Sequence, residues 1–393
     1  MKTATVTWIS DNNYGTLLQA YALQQKIFQL GHENIILSDR AVLQEIARQK
    51  QKSMAPQHST VVEPERVPFR ARVIRLLEHP RRLPRVLLAR ISPEKYSFPY
   101  TSVQDKCAQF KQDALCVYDI KGIDQLSTLD CEFDAFISGS DQIWSILAHR
   151  FHPYYFLNFS KKKKIAYAPS MGTDRIPKAD FDTIREYTKD YTAVSVRETV
   201  SAHQLSDVLE RDIFCVADPT LLHEAQFWSD FASSGTVCKK PYLLCYFLEN
   251  KPWYFTYAEN LAKKMHLKIL LIPNKSDFLS SEYLICQGVG PREFVGLFEN
   301  AAYVLTDSYH GSIFSVIFQK NFQYLLRFAQ EDPNSQNIRI QSLFERLGLE
   351  NRIVSQNMLE GYPLQIEYIP INEKLNEFRV SSEEYLRQAL KNT

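Results

Sequence analysis

Residues 1–38, MKTATVTWISDNNYGTLLQAYALQQKIFQLGHENIILS, change periodicity twice. Residues 2–9 alternate in the two-residue period of a β-branched strand. The polar turn Ser10-Asp11-Asn12-Asn13-Tyr14-Gly15 follows. Leu17, Leu18, Tyr21, Ala22, Ile27, Phe28 and Leu30 then recur near helical spacing, and Gly31 is suited to close that helix. The segment ENIILS, 33–38, reads as the next strand. A strand, a helix and a strand in this order open a Rossmann-like domain.

The alternation continues downstream. Strands are expected at FDAFIS (133–138), KKIAYA (163–168), TAVSV (192–196) and DIFCV (212–216), with helices starting near 177 and 198. The turn-rich stretch DFASSGTVCKKP (230–241) reads as a hinge. Beyond it the pattern resumes with YLLCYFL, a helix near 252–265, LKILLIP, a short strand YLICQ, a helix opening at Gly290-Pro291, and AYVLT. A chain of 393 residues suits two domains of roughly 150 to 200 residues each. The expected architecture is α/β: two Rossmann-like domains facing a cleft, over 1–232 and 241–350. A C-terminal extension over 351–393 ends in an amphipathic helix at 373–391.

Composition removes several function classes. Lys and Arg number 46 against 45 Asp and Glu, a net charge of +1, so no global electrostatic footprint for nucleic acid exists. Seven scattered cysteines never form C-x-x-C, which fits free thiols in a reducing compartment better than a disulfide framework or a zinc site. No window approaches 18 continuous apolar residues and MKTATVTWIS lacks a secretory apolar run, so a cytoplasmic protein is expected. The stretch 66–90 places eight arginines against one glutamate. It reads either as a solvated helix pair broken at Pro80 and Pro84 or as a segment attracted to an anionic membrane surface.

In open α/β sheets ligands collect where strand ends give way to helices, and each polar cluster of this chain lies at such a junction. Asn13 and Tyr14 precede the first helix, either as an ordinary cap or as part of an anion or sugar-hydroxyl site. In ISGSDQIWS (137–145), Asp141 can orient or deprotonate a hydroxyl and Gln142 offers a two-way amide; the other reading is a local turn with Trp144 packed inside. Arg197, at the end of TAVSV, suits a bidentate clamp on carboxylate or phosphate, or else a salt bridge with Glu198 or another carboxylate. In VADPTLL (216–222), Asp218 is the one candidate ligand. In TDSYHGSIFS (306–315), His310 follows a strand beside Asp307, Ser308 and Ser312, and Gly311 lets backbone approach closely. Arg292 and Arg339 flank this motif. P-loop, dinucleotide, nucleophile-elbow, H-E-x-x-H and D-x-D signatures are absent. His149 and His152 have no acidic or cysteine partner in sequence, so no metal is expected.

These clusters, in this order, resemble the polysaccharide pyruvyl transferase family. The matching residues are NYGTLLQAYAL (13–23), FDAFISGSDQIW (133–144), KKIAYAPSMG (163–172), VSVRE (194–198), VADPTLL (216–222), GPREF (290–294), TDSYHGSIFS (306–315) and NIRIQSLFERLGLENR (337–352). The resemblance implies a glycosyltransferase-B-like fold and transfer of the enolpyruvyl unit of phosphoenolpyruvate onto a sugar hydroxyl pair as a ketal, with no further cofactor. It makes Arg197 and His310 donor-site residues. Ser308, Gly311, Arg292 and Arg339 are expected beside them on the donor, and Asn13, Tyr14, Gln142 and Trp144 on the acceptor side. His310, Asp141 and Arg197 are the expected catalytic set. Many members carry an arginine two places before the histidine where this chain has Ser308, so Arg292, Arg339 or a helix N-terminus must compensate, or the donor differs. A sugar-nucleotide glycosyltransferase and a non-catalytic sugar-binding protein of the same fold are the rival readings. A lipid-linked oligosaccharide is the expected acceptor, with peripheral membrane contact through 66–90.

Overall fold

The computed structural model describes residues 1–53, 100–146, 151–232, 240–273, 284–286, 288–329, 332 and 334–391. The basic stretch 66–90, His149, Cys238 and most of the expected hinge lie outside these residues. Among the described residues the first sheet contains β1 (Lys2–Val6), β2 (Glu33–Leu37), β3 (Val117–Tyr118), β4 (Ala135–Ser138), β5 (Lys163–Ala166), β6 (Tyr191–Val196) and β7 (Phe214–Cys215). Its helices are α1 (Tyr14–Gln29), α2 (Arg40–Ser53), α3 (Tyr100–Ala114), α4 (Phe181–Thr188), α5 (Thr199–Leu209) and α6 (Ala225–Phe231). The second sheet contains β8 (Tyr242–Tyr246), β9 (Lys268–Ile272), β10 (Leu284–Ile285), β11 (Tyr303–Thr306), β12 (Phe322–Leu325) and β13 (Ile353–Val354). With it come α7 (Pro252–Met265), α8 (Pro291–Glu299), α9 (Tyr309–Ile317), α10 (Ile338–Leu347) and α11 (Ile369–Lys391).

The strand orders are β3-β2-β1-β4-β5-β6-β7 and β10-β9-β8-β11-β12-β13, and every pairing is parallel. Each sheet therefore winds outward from a central strand and reverses once, between β1 and β4 and between β8 and β11. Both are Rossmann-like, and each has its switch point beside a helix N-terminus.

Local chemistry explains the opening unit. Strand β1 is covered on both faces, so its threonines need partners inside the protein; Asn34 Nδ2 donates to the hydroxyls of Thr3 and Thr5 at 2.8 Å each. Asn13 caps α1, its side-chain oxygen accepting from Thr16 N at 3.3 Å. Gly31, at φ +84°, ends the helix as its sequence position predicts.

Aromatic side chains lock the two sheets' helices together. Tyr14 of α1 stacks on Phe294 of α8 at 4.7 Å and donates its hydroxyl to Val289 O at 2.9 Å. Trp228 of α6 meets Phe314 of α9 edge-on at 5.0 Å. One apolar core thus runs from α1 through α6, α8 and α9. Helix α11 starts four residues before its expected position and returns to the first sheet: Ser382 Oγ accepts from Ala217 N at 2.8 Å, and Tyr385 donates to Ala166 O at 3.1 Å. No helix among the described residues is long and apolar enough to cross a membrane.

At the second switch point, Asp307 accepts the N–H groups of Leu248 (2.6 Å) and Glu249 (3.0 Å), tying the end of β11 to that of β8. Burial pushes its carboxyl up to about 6 from the ordinary 3.8, against the pull of those hydrogen bonds and of Arg327. The folded state therefore holds this proton more tightly than the unfolded state. The associated stability is complete below pH ~4 and is lost as pH rises through ~6, by about 3 kcal/mol at about 1.4 kcal/mol per unit. Asp307→Asn cannot titrate, so its stability relative to wild type should rise by that order between pH 4 and 7.5 in denaturant titrations. A pH-independent difference would contradict this assignment.

Candidate active site

Five strand ends of the first sheet converge on one point. Asn13 and Thr16 follow β1, Asp141 follows β4, Ser170 follows β5, Arg197 and Glu198 leave β6, and Asp218 follows β7. The second sheet contributes Tyr309 and His310 from the first turn of α9, and Arg339 from the first turn of α10. Arg197, Glu198, Asp141, Asp218 and His310 are all buried.

Arg197 is the hub. Its Nη1 donates to Asp218 Oδ2 at 2.6 Å, while Nη2 lies 3.6 Å from Asp141 and Nε 3.6 Å from Glu198. The last two distances exceed a hydrogen bond, so Nη2 and Nε have no acceptor among the described residues. The guanidinium sits 4.4 Å from the centre of the Tyr309 ring, and Arg339 sits 5.8 Å from the same ring. His310 Nε2 lies 3.4 Å from Asp218 Oδ2, so one carboxylate serves both the arginine and the histidine. Asp141 accepts from Thr16 Oγ1 at 2.8 Å and from Gln142 N at 2.9 Å.

Burial opposes every charge here, and the neighbours decide each outcome. For Arg197, Tyr309, Asp218, Glu198 and Asp141 outweigh burial and hold the guanidinium protonated. For Asp218, His310 and Arg197 outweigh it and hold the carboxyl well below the usual carboxylate range. Glu198 goes the other way: burial raises it by more than Arg197, Ser170 and Arg339 lower it. Arg339 is pulled down to about 10 by burial and then by Arg197.

The N-termini of α1 and α9 meet across the cleft. A Cβ added at Gly15 would lie 2.1 Å from His310 Nδ1, so only glycine permits this approach. Ser308, where an arginine was the family expectation, caps α9 by accepting from Gly311 N at 3.3 Å. Both helices therefore turn the positive ends of their dipoles toward the same space.

The other expected residues divide. Gln142 Nε2 donates to Gln336 Oε1 at 3.1 Å, and Arg339 Nη2 donates to that same oxygen at 3.0 Å, bridging the cleft. Asn13 is exposed at the rim, whereas Tyr14 is committed to the interdomain stack. Two expectations are corrected. Trp144 is fully buried, stacked on Phe156 at 4.7 Å with its N–H given to Ser138, so it presents no face to an acceptor. Arg292 donates to Phe231 O at 2.6 Å and lies over that ring at 4.6 Å, which spends its charge at the end of α6. Sequence reading gave no role to Ser170 or Tyr309, and treated Glu198 only as a salt-bridge partner; their adjacency to Arg197 and His310 in the chain or across the sheet was the available signal.

A family model described as polysaccharide pyruvyl transferase matches residues 13–325. The chain belongs to that family. The matched residues cover every element of this site except Gln336 and Arg339. No curated sequence in the comparison matches. Solved structures with related backbones include a glycosyltransferase from Rickettsia africae, 12% identical with TM-score 0.46, covering 100% of this chain and 99% of that one. A UDP-GlcNAc 2-epimerase from Neisseria meningitidis is 10% identical with TM-score 0.43, over 99% and 94%. An E. coli heptosyltransferase is 11% identical with TM-score 0.40, over 96% and 100%.

Proposed function

We propose that this polysaccharide pyruvyl transferase family member moves the pyruvyl unit of phosphoenolpyruvate onto two hydroxyls of a sugar as a cyclic ketal, in the assembly of a surface polysaccharide. The observation that carries this reading is the buried Arg197 guanidinium with two unpartnered N–H edges, set between two facing helix N-termini. Phosphoenolpyruvate carries a phosphate ester and a carboxylate on the same carbon, C2. Cations and N–H donors recognise that pair without a metal.

In this reading His310, Arg339 and the first turns of α1 and α9 receive the donor's charge, and Arg197 stabilises the charge that develops as phosphate departs. Asp141 accepts hydroxyl protons at the acceptor side. Ser308 leaves the donor without the family's extra arginine, and Arg339 supplies a cation within reach of the same tyrosine.

Thermal scans with phosphoenolpyruvate and with nucleotide sugars test the donor. A ligand that binds the folded state at a hundred times its dissociation constant stabilises by about 2.7 kcal/mol. Phosphoenolpyruvate is expected to raise the melting temperature and UDP- or ADP-sugars to leave it unchanged. The reverse pattern would favour a sugar-nucleotide donor.

A further inference from the structure

Glu198 is the one carboxyl of the cluster with no assigned task. It leaves β6 as the residue before α5 and is fully buried. Oε1 accepts from Ser170 Oγ at 2.5 Å and the Met171 N–H also faces the carboxyl, while Oε2 accepts no hydrogen bond of normal geometry. Arg197 faces it from the end of β6, Cys215 from β7, Tyr309 from α9 and Arg339 from α10. Its nearest cation, Arg197 Nε at 3.6 Å, lies beyond hydrogen-bond reach.

We propose that Glu198 Oε2 carries the proton delivered to the methylene carbon of the enolpyruvyl donor. This rests on the pyruvyl-transfer reading. Ketal formation needs such an acid, and the other candidates are otherwise engaged. His310 keeps the task of receiving the donor's charge, its Nε2 3.4 Å from Asp218 Oδ2 and its Nδ1 edge against Gly15. Asp218 is held ionised by its cations, and Asp141 is occupied as an acceptor for Thr16 and Gln142. Burial keeps the Glu198 carboxyl above the ordinary range, the direction a proton donor near neutral pH requires.

The step balances. The O–H bond at Oε2 breaks, the C2=C3 electron pair of the donor forms the new C3–H bond, and an oxocarbenium-like centre is left at C2 opposite a Glu198 carboxylate. One sugar hydroxyl oxygen bonds to C2 and passes its proton to that carboxylate, restoring the acid. The C2–O bond to phosphate then breaks with its electrons on phosphate. The second hydroxyl closes the ketal, and its proton passes by way of Asp141 to the departing phosphate.

Glu198→Gln keeps the shape and removes the proton. It should lower kcat for phosphate release by about 10³-fold while phosphoenolpyruvate still raises the melting temperature as in wild type. Ser170→Ala supplies an independent readout. Losing the hydrogen bond donated to Oε1 weakens the acid, so the alkaline limb of the kcat–pH profile should move to higher pH, which a merely structural role would not produce. A Glu198→Gln rate within about threefold of wild type, or a Ser170→Ala limb that stays or moves down, overturns the proposal while leaving pyruvyl transfer standing. A wild-type protein that releases no phosphate from phosphoenolpyruvate with any acceptor overturns both.

Discussion

Arg197→Lys is expected to slow phosphate release from phosphoenolpyruvate by on the order of 10²- to 10³-fold, equivalent to about 3 to 4 kcal/mol of transition-state stabilisation. Lysine retains a positive charge near Asp218, so the buried carboxylates are not stranded and the protein should still fold. What it loses is the planar fork: Nη1 on Asp218 and, at the same time, Nη2 and Nε left free for a bound anion. Its ammonium also cannot reproduce the placement of the delocalised guanidinium over the Tyr309 ring at 4.4 Å. Steady-state phosphate release, with a thermal scan to confirm folding, separates these effects. A variant with near wild-type kcat would show that Arg197 serves only the internal ion-pair cluster.

Gly15→Ala should produce the opposite pairing of effects on stability and activity. Alanine in the first turn of α1 is favoured over glycine by up to about 1 kcal/mol in helix propensity. Its Cβ, however, would sit 2.1 Å from His310 Nδ1 and 2.9 Å from His310 Cβ, a distance at which the imidazole must move. Displacing a positioned group by about 1 Å can cost on the order of 10²-fold in rate. We therefore expect a folded, phosphoenolpyruvate-responsive protein with kcat down by about that factor. Unimpaired turnover would mean that the approach of α1 to α9 has no part in the reaction.

Much of this arrangement was legible in the chain, because its physics is local. The cap at Asn13 and the stop at Gly31 depend on neighbours within a few residues, and the structure reproduces both. The strand expected over 2–9 forms at Lys2–Val6, buried on both faces rather than alternately. The strand-end placement of Asp141, Arg197 and His310 follows from the same local pattern read five times over. Tertiary direction was not legible. Trp144 and Gln142 lie two residues apart in one turn, and only the packing of Phe156 decides that one faces inward and the other faces Gln336. Arg292 stands at the start of a helix whose facing side the periodicity cannot assign, and α6 takes it. Asp218 stood out in the chain only as a candidate ligand, because its shared role with Arg197 and His310 joins residues from both sheets. The return of α11 onto Ala217 likewise has no signature in an amphipathic pattern, which fixes a buried face but not its partner.

The most direct test is to incubate the wild-type protein with phosphoenolpyruvate and a panel of glycan acceptors, following inorganic phosphate and the mass of each sugar together. Pyruvyl transfer predicts phosphate release that depends on the acceptor, with an equal amount of sugar gaining the mass of a pyruvyl ketal. Phosphoenolpyruvate recovered intact, with neither phosphate release nor a mass gain for any acceptor, would contradict it.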